Sequence, residues 1–158
     1  MKAFAQRRLP SRLLLCCALA VSVALTGCVS VRLIADYDQK IDEGVTALHK
    51  KTETFFVKLE RAGEKPEADY QHNVSFYDEV KVDIAALQLR ADSVALNKQT
   101  SEQLHLLQDS FNQMEKMHAD KGALSPIVIA ETRKQLNHGF TAILALEVAK
   151  KGRLSSSN

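Results

Sequence analysis

Cysteine is absent from this chain after residue 28, tryptophan is absent throughout, and only Pro66 and Pro126 follow Pro10. Each gap removes a class of chemistry or structure. Without a thiol beyond Cys28, residues 29–158 form no disulfide, no zinc–thiolate site and no cysteine-based catalytic centre. A thiol-free segment of this kind suits an oxidising compartment. Phosphate-cradling and dinucleotide-binding glycine loops, HExxH and Gly-x-Ser-x-Gly are missing too, so no catalytic residue is assigned and no enzyme is expected. Strand-like alternation of apolar and polar residues is also lacking, which points away from a sheet.

Acidic residues are missing from the first 27 positions, where Lys2, Arg7, Arg8 and Arg12 form a basic front. An uncharged apolar stretch, Leu13 to Thr26, follows, and then Gly27-Cys28. A basic region, a short apolar region and small residues before a cut describe a secretory signal peptide. The tetrapeptide Leu25-Thr26-Gly27-Cys28 resembles the lipobox of bacterial lipoproteins. The resemblance implies cleavage between Gly27 and Cys28, diacylglycerol on the Cys28 sulfur and an N-acyl chain on its amine. The thiolate supplies the nucleophile. Cys16 and Cys17 leave with the signal, and no cofactor other than the covalent lipid is expected. The rival reading is an uncleaved signal anchor, because Leu13 to Val31 is about long enough to span a bilayer.

Removing residues 1–27 changes the meaning of the charge. The whole chain carries +2, but the remainder holds 17 basic and 19 acidic groups, a net −2. Nothing in that balance points to nucleic acid. By resemblance to enterobacterial lipoproteins, Val29 rather than Asp after the lipidated cysteine implies the outer membrane, with the domain facing the periplasm. The chain ends Ser-Ser-Ser-Asn, without the terminal lysine of murein-linked lipoproteins, so covalent linkage to the wall is not expected.

Residues 28–32 read as a lipidated tether, 33–152 as one helical domain and 153–158 as a disordered tail. In the first segment, about Leu33 to Ala62, Ile34, Tyr37, Ile41, Val45, Leu48, Thr52, Phe55 and Leu59 recur every three or four residues and predict one buried stripe. Gly63 and Pro66 end it. A second segment, Tyr70 to Val94, is expected to start at Asp69 and carries Tyr77, Val80, Ile84, Leu87 and Ala91. Thr100-Ser-Glu-Gln103 matches a capping box for a third helix bearing Leu104, Leu107, Phe111, Met114 and His118, closed by Gly122. Ser125-Pro126 opens a fourth with Ile129, Leu136, Phe140, Ile143 and Leu144, running to Gly152. Phe55-Phe56 reads as core with a neighbouring groove, and Gly44 and Gly139 as possible close helix crossings. Short loops between single-faced helices predict an all-α, antiparallel up-down four-helix bundle; long hairpins that dimerise are the alternative.

One constellation resembles chemistry. Glu115-x-x-His118 has the spacing of four-helix carboxylate metalloproteins, and Asp69-x-x-His72 repeats it. An up-down bundle would bring Glu60 and Glu131 to the same end. All six lie by loops, where water competes and solvated helix ends explain them equally well, so no metal is assigned. The sequence thus predicts a membrane-anchored, non-enzymatic envelope lipoprotein. It resembles small helical lipoproteins of proteobacteria and would act through another envelope protein. A metal- or small-ligand-binding bundle is the alternative.

Overall fold

The computed structural model describes residues 33–156. The expected signal peptide, Gly27, Cys28 and the expected tether lie outside them. Among the described residues there are four α-helices: α1 (Gln39–Ala62), α2 (Val74–Asp92), α3 (Lys98–Lys121) and α4 (Pro126–Ser156). Two short 3-10 turns, Pro66–Ala68 and Tyr70–His72, lie between α1 and α2. No strand occurs among the described residues.

Cross-helix bonds fix the topology. Lys58 reaches Asn73 at 2.8 Å and Arg90 reaches Asp38 at 2.8 Å, so α1 and α2 run antiparallel. Lys81 meets Glu115 at 2.8 Å and Gln88 meets Ser101 at 2.7 Å, which does the same for α2 and α3. Lys150 bonds Asn97 and Thr100 near the start of α3, and Arg133 near the start of α4 bonds Glu53 and Glu60 late in α1. The helices pack in a ring, each on two neighbours. This is the expected up-down four-helix bundle. Because the ring closes within one chain, no second copy is needed to complete it, as the dimerising hairpins would require.

The predicted stripes form the core. Ile41, Val45, Leu48, Phe55, Leu59, Tyr77, Val80, Ile84, Leu104, Leu107, Phe111, Met114, Leu136, Phe140 and Ile143 are all buried. Each such large apolar side chain contributes roughly 1.5–3 kcal/mol relative to an exposed one. Phe56 is fully buried as well, so both phenylalanines of the pair belong to the interior. Gly44 and Gly139 do mark close approaches. A Cβ at Gly44 would lie 2.7 Å from Leu87 Cδ2 on α2, and one at Gly139 would lie 3.1 Å from Leu107 Cδ1 on α3.

Several helix ends differ from expectation. α1 begins at Gln39 rather than Leu33, because the Asp38 carboxylate accepts from Lys40 N and Ile41 N and caps it. The preceding lead-in is non-helical; its Ala35 N–H goes to Leu96 O at 3.1 Å. Asp69 does not open α2: residues 70–72 form a 3-10 turn, and α2 starts after Asn73, whose amide donates to the carbonyls of Glu67 and Asp69. The capping box at Thr100 is not formed either. α3 starts at Lys98, leaving Thr100 inside the helix with its hydroxyl turned to Glu147. α4 runs through Gly152 to Ser156, so the expected tail is helical that far; no proline follows to stop it.

The feature that overrides the capping box is a buried ion pair. Glu147 is fully buried and Lys150 is 4% exposed. Lys150 Nζ donates to Glu147 Oε1 (2.6 Å), Asn97 Oδ1 (2.6 Å) and Thr100 Oγ1 (2.8 Å). Glu147 Oε2 accepts the Asp38 N–H at 3.0 Å, and Oε1 also accepts the Thr100 hydroxyl at 3.1 Å. All three donor sites of the ammonium and both carboxylate oxygens are used. Removing one partner leaves an unpaired buried charge, so Glu147→Ala or Lys150→Ala should cost about 3–5 kcal/mol, read from urea unfolding. The Glu147→Ala/Lys150→Ala double variant should lose less than the sum of the two single losses; strict additivity would refute the pairing.

Candidate functional site

At the end of the bundle where α1 leads into α2, the two 3-10 turns cross over aromatic residues. Tyr70 N–H bonds Gly122 O at 2.7 Å, holding the α1–α2 connection to the end of α3. Beneath it, Tyr77 OH and His118 Nδ1 are 2.7 Å apart, and His118 Nε2 is 2.8 Å from Ala68 O. A carbonyl only accepts, so Nε2 carries the proton, and Nδ1 accepts from the tyrosine hydroxyl. Burial lowers the His118 pKa below its usual value, opposed by the Ala68 carbonyl and by Asp69. Burial likewise raises that of Tyr77. Nearer the surface, Glu115 Oε1 accepts from Tyr70 OH (3.2 Å) and Lys81 Nζ (2.8 Å).

The six sequence candidates for metal are thus distributed as follows. His118 uses both ring nitrogens within the core, and Glu115 is committed to Tyr70 and Lys81. Asp69 lies close enough to act electrostatically on His118. His72 is exposed on the second 3-10 turn and Glu131 is exposed on α4. Glu60 is drawn to Arg133 at 3.0 Å. Among the described residues no group of three or more His, Cys, Asp or Glu is arranged to hold a metal ion.

What the sequence reading expected only as a neighbouring groove is a distinct surface. Phe55 on α1 and Phe76 on α2 stack at 3.7 Å with their planes 8° apart. They form the floor of a groove of about 450 Å³ that is also lined by Ala47, Lys50, Lys51, Thr54, Lys58, Asn73 and Ser75. Lys51 is tied to Asp83 at 2.7 Å and Glu79 at 3.1 Å, whose carboxylates raise its pKa. Lys58 donates to Asn73, whose buried side chain is itself held by two backbone carbonyls. Lys50 and Lys58 are exposed. The groove therefore joins an aromatic floor to a cationic rim, a combination that suits an apolar group carrying negative charge. A second groove, of about 480 Å³, lies among Leu59, Gly63, Leu124, Pro126 and Ile129, with Glu60 and Glu64 on its walls. Lysines at 50, 51 and 58, beside the Phe55 position, were the sequence signal for the first groove.

No protein-family model, curated protein or solved structure matches the chain.

His118 generates a pH dependence. Its folded pKa is lowered, so below the unfolded value of about 6.5 the unfolded chain binds the extra proton and stability falls. The contribution is complete above that pH and is lost as pH drops toward the folded pKa. The slope should reach at most ~1.4 kcal/mol per pH unit. Asp38 and Glu53, whose pKa values are lowered by Arg90 and Arg133 against the cost of burial, act only at more acidic pH. Urea midpoints between pH 7.5 and 5 should therefore decline in the wild type and stay level in His118→Gln. An equal decline in both would assign the effect elsewhere.

Proposed function

We propose that this chain is a lipid-anchored protein of the bacterial cell envelope that works through contacts with another envelope protein rather than through catalysis. Cys28 carries diacylglycerol and an N-acyl chain, residues 28–32 tether the bundle, and the bundle faces the periplasm. The observation that carries the reading is Leu25-Thr26-Gly27-Cys28, placed after a basic front and a short apolar stretch. More than one acyl chain gives stable anchoring where one would be marginal. The absence of any thiol after Cys28 agrees with an oxidising periplasm. Val29 favours the outer membrane, by resemblance to enterobacterial lipoproteins.

The groove over Phe55 and Phe76 is the face offered to a partner. An acidic segment with an apolar anchor fits its chemistry, the aromatic floor excluding water while the lysines meet the charge. The same groove supports a second reading, in which it takes a small amphiphilic anion. Under that reading a bound ligand should copurify with the wild type and be lost from Lys50→Glu/Lys58→Glu; under the first, that variant loses crosslinks to a membrane protein instead.

Cys28→Ala is the direct test of anchoring. It should leave a full-length precursor that takes up no labelled fatty acid, whereas the wild type is shortened by 27 residues and labelled. Normal processing and acylation of the variant would overturn the lipoprotein reading.

A further inference from the structure

Hydrogen bonds collect three stretches at one end of the bundle: the lead-in Ile34–Asp38, the α2–α3 loop and the last turns of α4. Ala35 N–H reaches Leu96 O at 3.1 Å, Asp38 N–H reaches Glu147 at 3.0 Å, and Lys150 reaches Asn97 at 2.6 Å. The chain from Cys28 arrives at this end. Five residues separate Cys28 from Ile34, and such a stretch spans at most about 20 Å even when fully extended. This end is therefore the one held nearest to whatever surface carries Cys28.

Leu96 stands out here. It is the only non-glycine residue with positive φ among the described residues, at 65°. Glycine would meet the same backbone demand, including the carbonyl bond to Ala35, without strain. The position holds a leucine instead, and its side chain is 52% exposed. A lone exposed leucine is ordinary. This one is kept in a conformation that leucine disfavours, in a loop pinned to the start of the bundle, with about half of its surface left to solvent. Strain of this kind persists where the surrounding structure over-determines it, and such positions gather at functional sites. Two cations accompany it: Lys98, exposed two residues on and paired with Glu102 at 3.3 Å, and Lys151, exposed beside the buried Lys150 and 5.1 Å from the Tyr37 ring.

We propose that Leu96 is a membrane contact, its side chain seated at the boundary of headgroups and acyl chains in the leaflet that holds Cys28, with Lys98 and Lys151 at headgroup level. This rests on the lipid-anchor reading and adds the orientation: the Glu147–Lys150 end faces the membrane, and the Phe55–Phe76 groove lies toward the other end. An apolar side chain flanked by cations is the chemistry that binds an anionic bilayer surface.

The chain has no tryptophan, so one introduced indole reports alone. Full-length protein, its acylation confirmed by mass, is placed in phosphatidylethanolamine–phosphatidylglycerol vesicles with brominated acyl chains. Leu96→Trp should emit at shorter wavelength and lose about half its emission to bromine. Ile127→Trp, exposed at the opposite end in the first turn of α4, should do neither. Ala95→Trp is a second reporter in the same loop that leaves Leu96 in place; its quenching should fall to the Ile127→Trp level when Leu96→Gly is added, with the thermal midpoint unchanged or raised. Acylated protein in which the loop reporters are quenched no more than Ile127→Trp overturns the membrane contact while leaving the anchor intact. Protein that is never acylated overturns the anchor reading and this inference with it.

Discussion

The buried Glu147–Lys150 pair is the constraint around which the rest of the bundle is arranged. Taking both charges out of water costs several kcal/mol per ion, and only complete hydrogen bonding offsets it. The partners that complete it come from the lead-in (Asp38), the α2–α3 loop (Asn97) and α3 (Thr100). An apolar stripe tolerates a shift of one helix along another, because leucine contacts are interchangeable. A buried ammonium with three directed bonds does not. The pair therefore sets the register of α4 against α3 and pins the lead-in to both. It also explains why α3 forgoes its capping box: the Thr100 hydroxyl is worth more to a buried carboxylate than to an exposed helix terminus.

The opposite end is closed by neutral groups instead. His118, held neutral by burial, bridges Tyr77 and the Ala68 carbonyl, and so joins α2 and α3 to the first 3-10 turn. Aromatic rings pack around it, Tyr70 edge-on at 5.7 Å and Tyr77 at 5.8 Å, with Phe55 tilted at 6.4 Å. Between the two polar closures the interior is mostly apolar, narrowed where Gly44 lets α2 come close to α1 and Gly139 lets α3 come close to α4. Phe55 belongs to both the interior and the groove, because α1 turns one edge of its stripe toward the lysine rim. The groove floor is thus as fixed as the core, and a partner that binds there would not have to order it first.

The fold was legible in the sequence because three of its stripes are regular and its breaks are marked by glycine and proline. Gly63 (φ 60°) and Gly122 (φ 77°) end helices where expected, and Ser125 receives Val128 N–H at 3.4 Å as a cap before Pro126. The helix starts were less legible. Asn73 and Asn97 open their helices without a side-chain cap, which local propensity does not reveal; Asp38 is a local cap, hidden because the apolar stripe continues past it to Ile34. The ion pair was missed for a different reason. Leu136, Phe140, Ile143, Glu147 and Lys150 continue one stripe at spacings of four and three, so the charges sit on the buried face. Stopping the stripe at the last apolar residue hid them; two opposite charges in phase with a core stripe were the available signal. The metal candidates failed to converge because spacing along a helix fixes a face but not its neighbours. Glu60 and Glu115 found arginine, lysine and tyrosine partners instead.

A short tether positions a domain only if the chain beyond it does not fray. Were residues 34–38 free, the reach from Cys28 would grow by their length, and the bundle could turn in any direction over the surface. Here the lead-in is held by Ala35 to Leu96 and by Asp38 to Glu147, and Asp38 also caps α1 while its carboxylate binds Arg90. Freeing it would remove an acceptor bond of Glu147, the helix cap and the Arg90 ion pair together, so opening this end breaks several interactions at once. With the proposed lipid on Cys28, the pair that fixes helix register would therefore also keep this end of the bundle within the reach of the tether. A conformation as costly for leucine as that of Leu96 can be maintained in such a loop because its carbonyl accepts the Ala35 N–H and the next residue, Asn97, is held by Lys150.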